Sequence, residues 1–154
     1  IKLVRVETSQ EMFDAVKKEL KQKFNIVILA AAVSDYIPEK PRSTKTKSDL
    51  DKIIVKLKRA PKIIDQIKKI QKNVFLVGFK AETNLPKGKL IMKARNKLKE
   101  SNADLIVAND IGSKYKNNTE YNSLIVVNSK ISYSGRMKKL DLVKFLRKEI
   151  EKRI

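Results

Sequence analysis

The sequence predicts an α/β protein: a doubly wound, mostly parallel sheet with helices on both faces and a C-terminal β-hairpin. Three observations carry this. Residues 26–33, 74–79 and 104–108 are apolar runs, as strands buried on both faces require. Segments with helical periodicity and capping signals separate them. Near the end of the chain, residues 123–127 and 130–134 flank Asn128-Ser129, the pattern of a hairpin.

Taken in order, residues 1–6 are apolar and β-branched and are expected to form a strand. Thr8 and Glu11 then form a capping box that opens a helix reaching about Phe24. Met12, Val16 and Leu20 line one face of it, and lysines crowd its C-terminal half, where the helix dipole favours cations. The polar stretch 34–48, with Pro38 and Pro41, is too irregular for a helix or an interior strand. A short strand is expected at 53–57, and Pro61 suits the first turn of a helix over 61–70. Further helices are expected over 87–100 and 140–154. No Pro/Gly/Ser-rich linker divides the 154 residues, so they are expected to form a single α/β domain.

Composition excludes several chemistries. With no cysteine and no histidine, disulfides, cysteine-based zinc sites and histidine general bases are ruled out. Acid–base and electrostatic work falls to Asp, Glu, Lys, Arg, Tyr or the backbone. The longest apolar run, 26–33, is too short to cross a bilayer, and the expected location is the cytoplasm. A net charge of +19 implies attraction for polyanions, whether nucleic acid, anionic lipid or phosphorylated small molecules. Part of that charge is the ordinary solvated lysine of helix faces. The four glycines form neither a Gly-x-Gly-x-x-Gly turn nor a Walker-type loop.

In doubly wound folds, ligands bind beyond the carboxyl ends of the strands. Three stretches fall there. Ala30-Ala31-Ala32-Val33-Ser34-Asp35-Tyr36 has small residues that admit a flat ring or a phosphate, with Asp35 at the rim to accept hydrogen bonds from a sugar or a base or to help hold a metal. In Arg42-Ser43-Thr44-Lys45-Thr46-Lys47-Ser48, two lysines alternate with hydroxyls, a composition suited to phosphate. Gly78-Phe79-Lys80-Ala81-Glu82-Thr83 is paired with Asn109-Asp110, where Phe79 either meets a base or fills the core. Asn109 and Asp110 either bind a ligand or satisfy backbone groups. Each stretch alone reads equally as a strand end or a solvated loop.

Together these stretches resemble the phosphopantothenate–cysteine ligase family (phosphopantothenoylcysteine synthetase). Ala31-Ala32-Val33-Ser34-Asp35-Tyr36, Lys45-Thr46-Lys47-Ser48, Ala60-Pro61-Lys62-Ile63-Ile64, Gly78-Phe79-Lys80-Ala81-Glu82-Thr83 and Asp104 to Ile111 are similar to its motifs, in order, along nearly the whole chain. The resemblance implies a Rossmann-like fold and the joining of 4′-phosphopantothenate to L-cysteine, in coenzyme A biosynthesis. The reaction passes through an acyl-nucleotidylate made from CTP with Mg²⁺, and the metal ligands are unknown. It further implies Lys45 as the catalytic lysine of a mobile loop, with Lys47 as a further candidate beside it. Ala31, Ala32, Asp35, Pro61, Lys62, Ile63, Ile64, Phe79 and Lys97 would form the nucleotide shell. Asn109 and Asp110 remain additional candidates. The second helix lysine of the family falls at Ser101, with Lys99 as a substitute, and Thr46 replaces the usual isoleucine.

The family's N-terminal Gly-rich turn and Asn-x-Ser-Ser-Gly-type stretch have no counterpart in these residues. The resemblance therefore covers the C-terminal portion of the ligase domain, which alone is expected to bind nucleotide weakly and turn over poorly. Relatives are usually homodimers and are often fused to a flavin-dependent decarboxylase, so flavin is expected only if such a domain lies upstream. The competing readings are a basic nucleic-acid-binding module and a dinucleotide-dependent oxidoreductase. The first lacks a stacking platform or a groove-reading motif, and the second lacks its glycine fingerprint. Neither a membrane nor a specific nucleic acid is an expected partner.

Overall fold

The computed structural model describes residues 1–40, 44, 51–112 and 120–154. Its centre is a five-stranded sheet in the order β1-β4-β5-β7-β8. Strands β1 (Ile26–Leu29), β4 (Phe75–Glu82) and β5 (Leu105–Asp110) run parallel, with Ile28 opposite Val77 and Gly78 opposite Ile106. The hairpin of β7 (Ile125–Val127) and β8 (Ile131–Tyr133) adds two antiparallel strands beyond β5. The α/β class, the parallel centre and the terminal hairpin are thus as the sequence predicts.

Alternate residues of the buried strands enter different cores, as the two-residue strand period requires. Leu76, Ile106, Ala108 and Val127 join Leu20 of α1 (Ser9–Leu20), Ile67 of α2 (Ile64–Ile70) and Leu90 and Ala94 of α3 (Lys87–Ser101). On the other face Val77, Leu105, Val107 and Val126 meet Leu142 and Ile150 of α4 (Lys139–Glu151). Each fully buried Leu or Ile contributes roughly 1.5–3 kcal/mol, so this double burial fixes the register that brings the strand ends level.

Helix boundaries follow local chemistry. The Thr8 hydroxyl accepts from the Glu11 amide at 3.1 Å, and the Glu11 carboxylate accepts from the Glu7 amide at 2.8 Å. Asn102 ends α3 in the left-handed conformation (φ 53°), so that the Ala103 amide reaches the Leu98 carbonyl.

Four expectations are corrected. Residues 1–6 form no strand: nothing among the described residues offers them a ladder, and Ile1 and Leu3 are exposed. β1 ends at Leu29 rather than at residue 33, because β4 pairs only with β5 beyond Gly78, and residues 30–33 peel away from the sheet. The strand expected at 53–57 lies later, as β3 (Leu57–Arg59), which pairs antiparallel with β2 (Tyr36–Pro38) in a ribbon without an interior strand. Pro38 is tolerated because it ends a two-stranded ribbon. Finally, α2 begins at Ile64, so Pro61 precedes the helix instead of opening it. Two short strands, β6 (Tyr121–Asn122) and β9 (Met137–Lys138), form a further ribbon with no counterpart in the sequence reading. No helix among the described residues is long and apolar enough to cross a membrane.

Candidate functional site

Where residues 30–33 leave the sheet, a cleft of about 540 Å³ opens beyond the carboxyl ends of β1 and β4. That volume lies in the ordinary range for small-molecule sites. Its first wall is the strand-end loop, with Ala31, Ala32 and Asp35 on the lining. The alanines are exposed and lack bulk, so a ligand can approach their backbone. The Asp35 carbonyl accepts from the Ala60 amide at 2.9 Å, which ties this loop to the second wall.

The second wall is the turn Pro61, Lys62, Ile63 and Ile64. Amides of Asp65 and Gln66 donate to the carbonyls of Lys62 and Ile63, a tight lead into α2. Ile63 is buried and Ile64 packs on the α1–α3 core, so two core residues hold the turn in place. Gly78 makes that seat: a Cβ there would lie 2.5 Å from Ile64 Cδ1 and 2.8 Å from Ile106 Cδ1. Any larger residue at Gly78 would have to displace these two terminal methyl groups.

The floor is the end of β4. Phe79 lines the cleft and also packs against the α4-side core, which is the core-filling role. Across from it, α3 presents Lys93, Asn96, Lys97 and Glu100. Lys97 Nζ donates to Asp65 Oδ1 at 2.9 Å, a contact between α3 and α2. Lys80 and Lys93 both reach Glu82 Oε1, at 2.8 and 2.9 Å. Hydrogen bonds from Lys80 and then Lys93 hold the Glu82 carboxyl below the usual carboxylate range.

All nine residues expected to form the nucleotide shell therefore line one cleft: Ala31, Ala32, Asp35, Pro61, Lys62, Ile63, Ile64, Phe79 and Lys97. Lys45 and Lys47 lie outside the described residues. Asn109 and Asp110 are not on the lining. Asp110 Oδ1 accepts from the amides of Asn84 and Gly112, at 2.9 and 3.0 Å, which is the backbone-satisfying role. Asn109 Oδ1 is buried without a hydrogen-bond partner. Ser101 is no stand-in for a cleft lysine: it is buried, and its hydroxyl donates to the Lys97 carbonyl at 2.6 Å. Lys99 is not on the lining either. The lysine that accompanies Lys97 there is Lys93, one turn earlier on the same helix face.

Met12, Lys93, Asn96 and Glu100 also line the cleft and are not singled out by the sequence, and Lys80 and Glu82 line it from the Gly78–Thr83 stretch, where the sequence assigns them no role. The four-residue spacing of Lys93 and Lys97 on a helix was a usable signal. The contact of Glu82 with Lys93 depends on tertiary packing and carries none.

Residues 1–154 match the family described as the DNA/pantothenate metabolism flavoprotein C-terminal domain. The chain belongs to this family. It is 40% identical over 151 residues to the coenzyme A biosynthesis bifunctional protein CoaBC of Thermococcus kodakarensis, covering 97% of this chain and 36% of that protein. The CoaBC of Methanocaldococcus jannaschii is 38% identical over 115 residues, covering 75% of this chain and 28% of that protein. The chain thus spans about a third of the length of these relatives. Among solved structures, the C-terminal domain of a coenzyme A biosynthesis bifunctional protein CoaBC superposes with a TM-score of 0.72 at 27% identity, covering 96% of this chain and 63% of that one. The flavoprotein C-terminal domain fold thus frames the cleft, whose walls are the motif-bearing loops.

Among the described residues no group of three or more Asp or Glu side chains could hold a metal. Asp35, Glu82 and Glu100 stand on separate elements, and Glu82 is already bound to two lysines. The described cleft residues therefore do not fit a resident metal.

Proposed function

We propose that this chain supplies the nucleotide-binding part of a phosphopantothenate–cysteine ligase that uses CTP in coenzyme A biosynthesis. The observation that carries the reading is the convergence of the strand-end loop, the Pro61 turn and the β4 end on one cleft. Membership of the flavoprotein C-terminal domain family supports it, as do relatives named for coenzyme A biosynthesis.

In this reading the nucleotide base and ribose rest against Phe79, Pro61 and Ile64, with the alanine backbone of the strand-end loop beneath them. Asp35 accepts hydrogen bonds at the rim, and Lys97 donates from α3. Catalysis of this kind is mainly positioning and charge stabilisation. The carboxylate of 4′-phosphopantothenate attacks the α-phosphate of CTP and releases pyrophosphate, and the L-cysteine amine then displaces CMP from the acyl-cytidylate. Lys45 is assigned to the charge that develops at phosphorus, assisted by Lys47. Magnesium would enter bound to the CTP phosphates as part of the substrate, and no step is assigned to it. Flavin is proposed only for a decarboxylase domain, where one is fused to the ligase. A homodimer working in the cytoplasm completes the proposal, with no specific nucleic acid as partner.

Calorimetric titration of CTP, ATP and GTP with Mg²⁺ into the chain tests this. CTP is expected to bind most tightly, and Lys45→Gln to weaken it. Equal binding of all three nucleotides, unaffected by the substitution, refutes the assignment.

A further inference from the structure

Two lysines from different elements share one carboxylate oxygen in the cleft. Lys80 stands on β4 and Lys93 on α3, yet both ammonium groups lie within 3 Å of Glu82 Oε1. The Glu82 side chain is 17% exposed, while those of Lys80 and Lys93 are 35% and 46% exposed. The carboxylate is thus the fixed point, and the lysines are the free ends.

Without it, two like charges held on one oxygen would repel. That repulsion is small in water and several times stronger near a protein surface. Two long side chains that are partly in solvent would then disperse, since each regains rotamer entropy. An ammonium has three donors. With one spent on Glu82, two remain on each lysine for an anionic group in the cleft.

The geometry points to Glu82 as a positioning residue that holds Lys80 and Lys93 ready for the anionic part of a phosphorylated ligand in the cleft. This rests on the nucleotide reading above. Glu82 touches no reacting atom; it acts through the two lysines. A second carboxylate–lysine pair, Asp65 with Lys97, anchors the next turn of α3 to α2. The lysine face of α3 is therefore held at two successive turns, by a strand on one side and by a helix on the other.

The test is calorimetric titration of CTP with Mg²⁺ into the full chain and into Glu82→Ala, Glu82→Asp, Lys93→Ala and the Glu82→Ala/Lys93→Ala double variant. Glu82→Ala is expected to weaken binding roughly tenfold, the scale of a misplaced charged contact. Glu82→Asp should restore part of the loss. Lys93→Ala should cost nearly as much as Glu82→Ala, and the double variant little more than either. Glu82→Gln, which keeps the side-chain shape, is expected to lose affinity in the same direction and carries the test should the alanine variant not fold.

Binding as tight as wild type, or tighter, in the Glu82 variants overturns the inference, because the carboxylate would then only repel the ligand. Fully additive losses overturn it as well. A wild-type chain that takes no CTP removes the nucleotide reading and this inference with it. A wild-type chain that binds CTP beside indifferent Glu82 variants removes this inference alone.

Discussion

The backbone amide of Ala60 donates to the carbonyl of Asp35 at 2.9 Å, and this bond extends the β2–β3 ladder so that the two motif-bearing loops form a continuous wall. It explains how residues some 25 positions apart in the chain serve one cleft. The link uses only backbone atoms, so the Asp35 side chain is left exposed at the rim.

That division of labour gives the first prediction. Asp35→Ala should leave the thermal midpoint within about 2 °C of wild type, as surface changes usually do. The same variant should weaken CTP binding by roughly 1–2 kcal/mol through a lost charged hydrogen bond. Calorimetry and thermal unfolding of the same preparation check both halves.

Gly78 predicts the opposite pattern. A methyl group there would meet Ile64 and Ile106, both held in the core. Gly78→Ala should destabilise the fold by about 1–3 kcal/mol, the usual penalty of overpacking. Because Ile64 carries the Pro61 turn, CTP affinity should fall in parallel. Urea unfolding together with ligand titration measures the pair.

Asp110 should behave as a structural residue. Its carboxylate accepts from the amides of Asn84 and Gly112 and lies off the cleft lining. Asp110→Ala is expected to cost roughly 1–3 kcal/mol of stability through the lost acceptor. CTP affinity should change less than twofold when measured well below the melting temperature.

Glu149 ties the end of α4 to the sheet and predicts a pH dependence. Burial pushes its carboxyl up, but hydrogen bonds from Lys152, Ser132 and Arg153 outweigh that and hold it at about 2. A carboxyl lowered from 4.5 in this way stabilises the fold fully above about pH 4.5. That contribution, roughly 3 kcal/mol at most by linkage, is lost as pH falls from 4.5 towards 2. Glu149→Gln should flatten the stability profile between pH 5 and pH 2, read by urea unfolding at each pH.

Much of this architecture was legible in the sequence because its causes are local or periodic. Thr8 and Glu11 announce their helix by spacing alone, and the apolar runs of β4 and β5 can only be central strands. The strand-end alanines and Asp35 were legible as a loop of unusual composition, and their grouping with Pro61 and Phe79 rested on the order of motifs. What escaped was non-local. Tyr36-Ile37-Pro38 looks irregular because its strand partner, Leu57–Arg59, is exposed and distant in the chain. The grip of Glu82 on Lys93 joins a strand to a helix and leaves no spacing to read. Residues 1–6 have strand composition, but composition alone supplies no neighbouring ladder.

Hydrogen–deuterium exchange with saturating CTP and Mg²⁺ examines the shared cleft most directly. Protection should appear together at residues 30–35, 60–65 and 79–82, and along α3 near Lys97, while the β7–β8 hairpin and α4 stay unchanged. Protection confined to α4 or the hairpin, or a pattern that GTP reproduces in full, would contradict a CTP site formed by these loops.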